Sequence, residues 1–215
     1  MFAEGLVANG ATVYISSRDA AACEAAATQL TAHGPGRAYA LPEDLSTDAG
    51  CVRLAARLSE RETKLHVLVN NSGIAWGEPL ETFSEIGWKK VMALNVEAVF
   101  NVTRACLPLL DAGSSQSSPA RVIVVGSVAG IKPQPFPTWS YDISKAAVHH
   151  LTLKMAAAFA DRRAQGGHSI CVNAVAPGYV PSRMSKVRIP LAHSCCVSTN
   201  ASFCGTVSVC RICEC

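Results

Sequence analysis

Long apolar runs are missing from this sequence. No stretch approaches the roughly 20 apolar residues of a membrane-spanning helix, so no membrane association of that kind is expected. The first residues have no positively charged lead and no long apolar core, and they are not read as a secretory signal. Basic runs and aromatic-basic interleaving are also lacking. With aromatics at 6% and a formal charge of +3, nothing points to nucleic acid as a partner. There is no internal repeat. What remains is 215 residues, 49% of them hydrophobic, a length and composition that suit one soluble globular domain.

The most informative stretch runs from Arg121 to His150. Val122 to Val125 is a continuous β-branched run, the mark of a strand buried on both faces of a parallel sheet. Gly126 and Gly130 bracket its end, which places Ser127 where strand gives way to loop. In open α/β sheets ligands bind at that edge. After a Pro-rich loop the pattern turns helical, and Tyr141 and Lys145 fall four apart on one helix face. A phenol titrates near 10, and lowering it by about three units takes roughly 4 kcal/mol. One ammonium about 4 Å away supplies on the order of 4 kcal/mol at an effective dielectric of 20. Lys145 is therefore expected to make Tyr141 a working general acid/base, with Ser127 holding a carbonyl or hydroxyl oxygen beside it. A Tyr-x-x-x-Lys spacing also arises by chance; its place after a strand that ends in Gly-Ser gives it weight.

Three further motifs stand in order around this stretch. Asn70-Asn71-Ser72-Gly73 ends an expected strand, Lys64–Val69. Asn95 lies within Leu94 to Phe100. Pro177-Gly178 follows the expected strand Ile170–Ala176. Together, from about Gly5 to Met184, they resemble the short-chain dehydrogenase/reductase family, and the 3-oxoacyl-carrier-protein-reductase-like group within it. The resemblance implies an α/β fold, a doubly wound parallel sheet of Rossmann type, truncated at both ends. It also implies reversible hydride transfer between NADP(H) and a small-molecule carbonyl or secondary alcohol. Tyr141 would exchange the proton. Lys145 would lower its pKa and bind the nicotinamide ribose, Ser127 would orient the carbonyl, and Asn95 would bend its helix and hold a water of the proton relay.

The remaining cofactor positions follow the chain. Met1 to Gly10 reads as the latter half of a helix closed by Asn9-Gly10. The resemblance implies an earlier strand and a Gly-rich, phosphate-binding turn before Phe2. Without them the chain is expected to be poorly stable by itself and to bind NADPH weakly or not at all. Ala11–Ser16 is an expected strand, and Arg18 just beyond it suits the 2′-phosphate of NADP, or else is a solvated loop residue. Asp19 caps a helix to about His33 whose inner side is expected at Ala22, Ala26 and Leu30. The strand Arg37–Leu41 leads to Asp44 and Leu45, which in the family contact the adenine ring; a carboxylate there can equally be a helix cap. A helix from Ser46 to about Glu62 follows. Gly73 lets backbone approach the cofactor and Asn71 lies beside it, whereas Asn70 is expected to cross-link neighbouring strands. Pro177 and Gly178, with Val180 and Ser182, would meet the nicotinamide carboxamide and a cofactor phosphate.

Ser84 to Leu110 is expected as one long amphipathic helix, with Val91, Leu94, Ala98 and Val102 as its core face and Pro108 near its end. In the family its other side joins the Tyr-Lys helix, here about Ser140 to Ala164, in a four-helix bundle, so residues 84–110 and 140–164 are the expected homo-oligomer surface. His149 and His150, adjacent on that helix, point about 100° apart and are read as packing or surface residues, not metal ligands. After about Lys186 the character changes. Of ten cysteines, Cys195, Cys196, Cys204, Cys210, Cys213 and Cys215 lie there, with no helical period. Their spacing does not give the two separated pairs of a closed zinc site. Residues 1–186 are thus expected as a partial Rossmann domain, and 187–215 as a tail of unrelated reading frame outside the fold. The rest of the chain reads as intracellular, hence cytoplasmic, which weighs against a disulfide scaffold in the tail. A reading of another class is a catalytically inactive fragment that pairs with full-length relatives.

Overall fold

The computed structural model describes residues 2–178 together with the backbone of Val207 and Ser208. Every strand pair in it is parallel. The strands form two sheets, and the chain divides into two compact units, Met1–Glu62 and Thr63–Cys215.

In the first unit, helix α1 (Phe2–Ala8) ends at Gly10, whose φ of 87° is the left-handed conformation that an Asn-Gly stop supplies. Strand β1 (Thr12–Ile15) pairs with β2 (Arg37–Ala40), Thr12 opposite Arg37 and Ile15 opposite Ala40. Between them runs α2 (Ala20–Thr31), capped by Asp19, whose carboxylate accepts from the Ala22 amide at 2.9 Å. The buried stripe of α2 is Cys23 and Ala27, with Leu30 packed against it. Ala22, expected inside, is exposed. In a run of alanines the hydrophobic period does not single out a face, and Cys23, held by a 3.2 Å contact between its Sγ and the Ser17 hydroxyl, sets it. Helix α3 (Asp48–Ser59) starts at Thr47, whose hydroxyl accepts from Gly50 at 3.1 Å. Thr47, not Asp44, is therefore its cap.

The second unit is built on β3 (Val67–Asn70), β4 (Ala120–Val125), β5 (Ile170–Val175) and a two-residue β6 (Val207–Ser208), in that order. The expected start of β3 at Lys64 is three residues early. The Leu65 amide donates to the Leu109 carbonyl at 2.8 Å, so this backbone is tied to a helix end before it enters the sheet. Val122 and Val124 are fully buried, while Ile123 and Val125 on the other face are only partly so. The run expected to be covered on both sides is completely covered on one. Asn70 does not cross-link strands. Its amide donates to the Thr103 hydroxyl at 3.0 Å and ties the end of β3 to a helix.

The expected long helix from Ser84 is interrupted twice. Helix α4 (Glu85–Met92) passes into a π-helical turn, Ala93–Glu97, before α5 (Ala98–Ala105). The turn inserts one residue into the helical period. Val91, Ala98 and Val102 remain in the core, but Asn95 replaces Leu94 as the buried residue between them. Pro108 sits in the first turn of a separate helix, α6 (Leu107–Ala112), where its missing N–H is harmless. The 26-residue α7 (Trp139–Ala164) then packs against β5 and the turn after β4. The expected boundary near residue 186 and the tail cysteines lie outside the described residues. Among the described residues no helix is long and apolar enough to cross a membrane.

Candidate active site

Strand β4 delivers Ser127 to the C-terminal edge of the sheet, and the chain turns at once into a short 3-10 helix, Val128–Gly130. The Ser127 hydroxyl caps it, accepting from the Ala129 amide at 3.1 Å. Two glycines let this turn lie against α7. A Cβ on Gly130 would run into the backbone of Lys145 and Ala146, and one on Gly126 would enter the ring of His149. The turn is held from the β5 side as well: Gly126 donates to the Val175 carbonyl at 2.8 Å and Val128 to the Pro177 carbonyl at 3.0 Å. Pro177 is thereby brought to the Ser127 turn. Beyond it, a Cβ on Gly178 would meet no atom of the described residues within 4 Å.

Tyr141 and Lys145 rise from the first turns of α7 toward Ser127. Lys145 is buried, its ammonium donating to the Val125 carbonyl at 2.8 Å and standing over the Tyr141 ring, 5.5 Å from the centroid. Burial lowers its pKa to about 8. The Tyr141 phenol is pushed above its usual value by burial; a side-chain hydrogen bond with Ser127 works against this, and Asp142 adds to it. The lowering expected from Lys145 is not met in this arrangement. The ammonium faces a carbonyl and the ring, and removing the phenol from water disfavours the phenolate.

Asn95 sits behind this group with 2% of its surface exposed. Its Oδ1 accepts from the Ile74 amide at 2.9 Å. Its Nδ2 donates to the Ile74 carbonyl at 2.9 Å and to the Ser144 hydroxyl at 3.0 Å, and that hydroxyl donates to the Tyr141 carbonyl at 2.7 Å. The side chain thus locks the segment after β3 to the Tyr-Lys helix. Gly73 is drawn into the same place, since a Cβ on it would stand 3.2 Å from Asn95 Oδ1 and 3.8 Å from Lys145 Nζ. Asn71, next to it in sequence, is exposed.

In the first unit, Arg18 and Asp44 meet at the C-terminal edge of β1 and β2, where the Glu43 amide donates to the Ser17 carbonyl at 3.1 Å. Arg18 is exposed. The Asp44 carboxyl is held below its usual range, first by hydrogen bonds from the Ser46 amide and hydroxyl, and further by Arg18 and Arg53. Leu45 is buried, so its side chain belongs to the packing of this unit. Val180 and Ser182 lie outside the described residues. His149, which the sequence alone presents as a packing or surface residue, accepts at Nε2 from the Ser127 amide at 3.4 Å. The signal was there: positions 141, 145 and 149 share a helix face.

Residues 1–190 match the profile of a family described as short chain dehydrogenase. A 3-oxoacyl-acyl-carrier-protein reductase of rhamnolipids biosynthesis from Pseudomonas aeruginosa is 46% identical over 186 residues, which cover 86% of this chain and 70% of that protein. A galactitol 2-dehydrogenase from Rhizobium johnstonii is 35% identical over 205 residues, 87% of this chain and 72% of the relative. Among solved structures, the Pseudomonas aeruginosa RhlG/NADP active-site complex superposes with a TM-score of 0.78 at 44% identity, covering 86% of this chain and 69% of that one.

Proposed function

The chain belongs to the short-chain dehydrogenase family, and from that membership, in its 3-oxoacyl-acyl-carrier-protein-reductase-like group, we propose that it is an NADP(H)-dependent oxidoreductase working through Ser127, Tyr141 and Lys145 on a carbonyl or secondary alcohol. One observation carries the reading: the Ser127 hydroxyl lies close enough to the Tyr141 phenol to bear on its pKa, while the buried ammonium of Lys145 stands 5.5 Å from the centroid of the Tyr141 ring.

The residues present suit the cofactor. Among the described residues nothing lies within 4 Å of where a Gly178 Cβ would stand, and Gly73 keeps side-chain volume away from Lys145 Nζ. An ammonium has three donors, and among the described residues that of Lys145 gives one to Val125, which would leave others for the ribose hydroxyls of the cofactor. In the first unit, exposed Arg18 offers a guanidinium of the kind that pairs with a 2′-phosphate. When bound, NADPH supplies the hydride for carbonyl reduction. Ser127 then donates to the substrate oxygen and fixes its place beside the phenol. Tyr141 Oη gives that oxygen its proton as negative charge develops there. A phenol held above its usual pKa is fully protonated at neutral pH, which suits it as the proton donor of reduction. Asn95, through Ser144 and Ile74, keeps Tyr141 and Lys145 in register with the segment at Gly73. Its side-chain groups are engaged in those bonds, so a relay water at this position would be held by the backbone carbonyl.

The test is Tyr141→Phe in a version of the chain preceded by the strand and Gly-rich turn that the family resemblance implies. It removes one oxygen and its proton, and is expected to abolish reduction of a 3-oxoacyl thioester while NADPH affinity, read by fluorescence titration, stays within about threefold, less than one hydrogen bond. Undiminished turnover would sink the assignment.

A further inference from the structure

His149 has no part in the chemistry above, yet it is buried, with 8% of its surface exposed, directly behind the Ser127 turn. Its ring meets that turn at three points. The Ser127 amide donates to Nε2 at 3.4 Å. The Gly130 backbone lies close enough to the ring to bear on its pKa. Gly126 lies so close that any Cβ there would enter the imidazole. An imidazole that accepts at Nε2 is neutral and carries its proton on Nδ1, on the side of the ring free to donate toward the Gly130 backbone. One ring therefore fixes backbone on both sides of the residue that is to orient the substrate.

We propose that His149, as the neutral Nδ1-protonated imidazole, is a positioning residue for carbonyl reduction: it clamps residues 126–130 so that the Ser127 hydroxyl meets the Tyr141 phenol and the substrate oxygen together. The proposal rests on the Ser127–Tyr141–Lys145 reading for its chemistry, while the clamp itself stands on geometry. Its neutral state has a physical basis. Burial holds the imidazole below its usual range, and Lys145, one turn earlier on the same helix, adds to this; the Gly130 backbone opposes both. The segment 126–131 and the C-terminal halves of β4 and β5 contribute no ionisable side chain, so Lys145 is the charge that faces the ring. Protonation at low pH removes the acceptor at Nε2 and sets a cation against the Ser127 amide. The clamp is then lost.

Two measurements decide it. In the full chain, long-range nitrogen–proton NMR correlations are expected to show His149 as the Nδ1–H tautomer at neutral pH, with a slowly exchanging Ser127 amide. An Nε2–H tautomer or a charged ring at pH 7 would overturn the proposal, whether or not reductase activity is found. In kinetics, His149→Leu keeps bulk but not the acceptor. Its turnover is expected to fall about tenfold, the size of one hydrogen bond, with the KM for NADPH unchanged. His149→Gln restores an uncharged acceptor. It is expected to recover turnover to within about threefold of wild type and to lose the acid limb of the pH profile, since an amide does not titrate in this range. A Leu variant with wild-type turnover, or a Gln variant that keeps the acid limb, would each refute the role. Should the Leu variant not fold, the Gln variant and the tautomer still give the answer.

Discussion

Two cations of opposite exposure mark the residues on which cofactor binding is expected to turn. Lys145 has 6% of its surface exposed and gives up its proton at about 8, because the interior disfavours its charge. Arg18 is exposed, and its neighbour Asp44 already uses its carboxylate on Ser46. That leaves the guanidinium as the group presented to solvent at the end of β1. Arg18→Asp is expected to move the ratio of kcat/KM for NADPH over NADH toward NADH by on the order of tenfold or more, because a carboxylate repels a 2′-phosphate and accepts from a 2′-hydroxyl. A ratio that does not move would make Arg18 a solvated loop residue.

Elements set the precision of the site. The π-helical turn Ala93–Glu97 brings Asn95 inward, where it bonds both the Ile74 backbone and Ser144 of α7. The 3-10 turn Val128–Gly130 meets α7 so closely that glycine alone fits at its end. Gly130→Ala tests that contact: pushing a methyl into the backbone of Lys145 and Ala146 is expected to destabilise the fold by about 1–3 kcal/mol and to lower turnover more than NADPH affinity. Urea unfolding and steady-state kinetics of the variant check both. Unchanged stability and turnover would show that the turn has room to move. Gly5, whose added Cβ would meet no atom of the described residues within 4 Å, is the matching control.

For the molecule as a whole, the buried lysine predicts a pH dependence of stability with a definite sign. The folded-state pKa of Lys145, about 8, lies below its usual 10.5. Between those values the unfolded chain binds more protons than the folded one, so stability rises with pH across the window. The full gain is roughly 3 kcal/mol at 1.36 kcal/mol per unit. Above about 10 the Tyr141 phenol, held protonated in the fold, works in the other direction. Denaturant midpoints at pH 7.5 and 9.5 are therefore expected to differ in favour of the higher pH, and Lys145→Met is expected to flatten the difference. A midpoint that is level or falls over this range would contradict the burial of Lys145. On the acid side His149, whose folded pKa is depressed, costs stability as pH falls below its unfolded value near 6.5.

The sequence by itself determined the local features of this protein. Asp19 had to cap a helix because its carboxylate faces an otherwise unpaired amide, Asn9-Gly10 had to stop one, and the β-branched Val122 to Val125 had to extend. The order of Ser127, Tyr141 and Lys145 after that strand was also legible, since it depends on neighbours in the chain and on helix period. Tertiary structure decided what depends on partners distant in sequence. The face buried by the alanines of α2 was set by Cys23 and the strand beneath it. Asn95 entered the core because Ile74 and Ser144 offered it bonds, not because of its own propensity. The direction of the Tyr141 pKa followed from how much water the fold removes and where the Lys145 ammonium points. His149 left the class of packing residues only when α7 laid it against the Ser127 turn, 22 residues earlier in the chain. Periodicity reports which side of an element is apolar; which polar groups meet across elements is settled by packing.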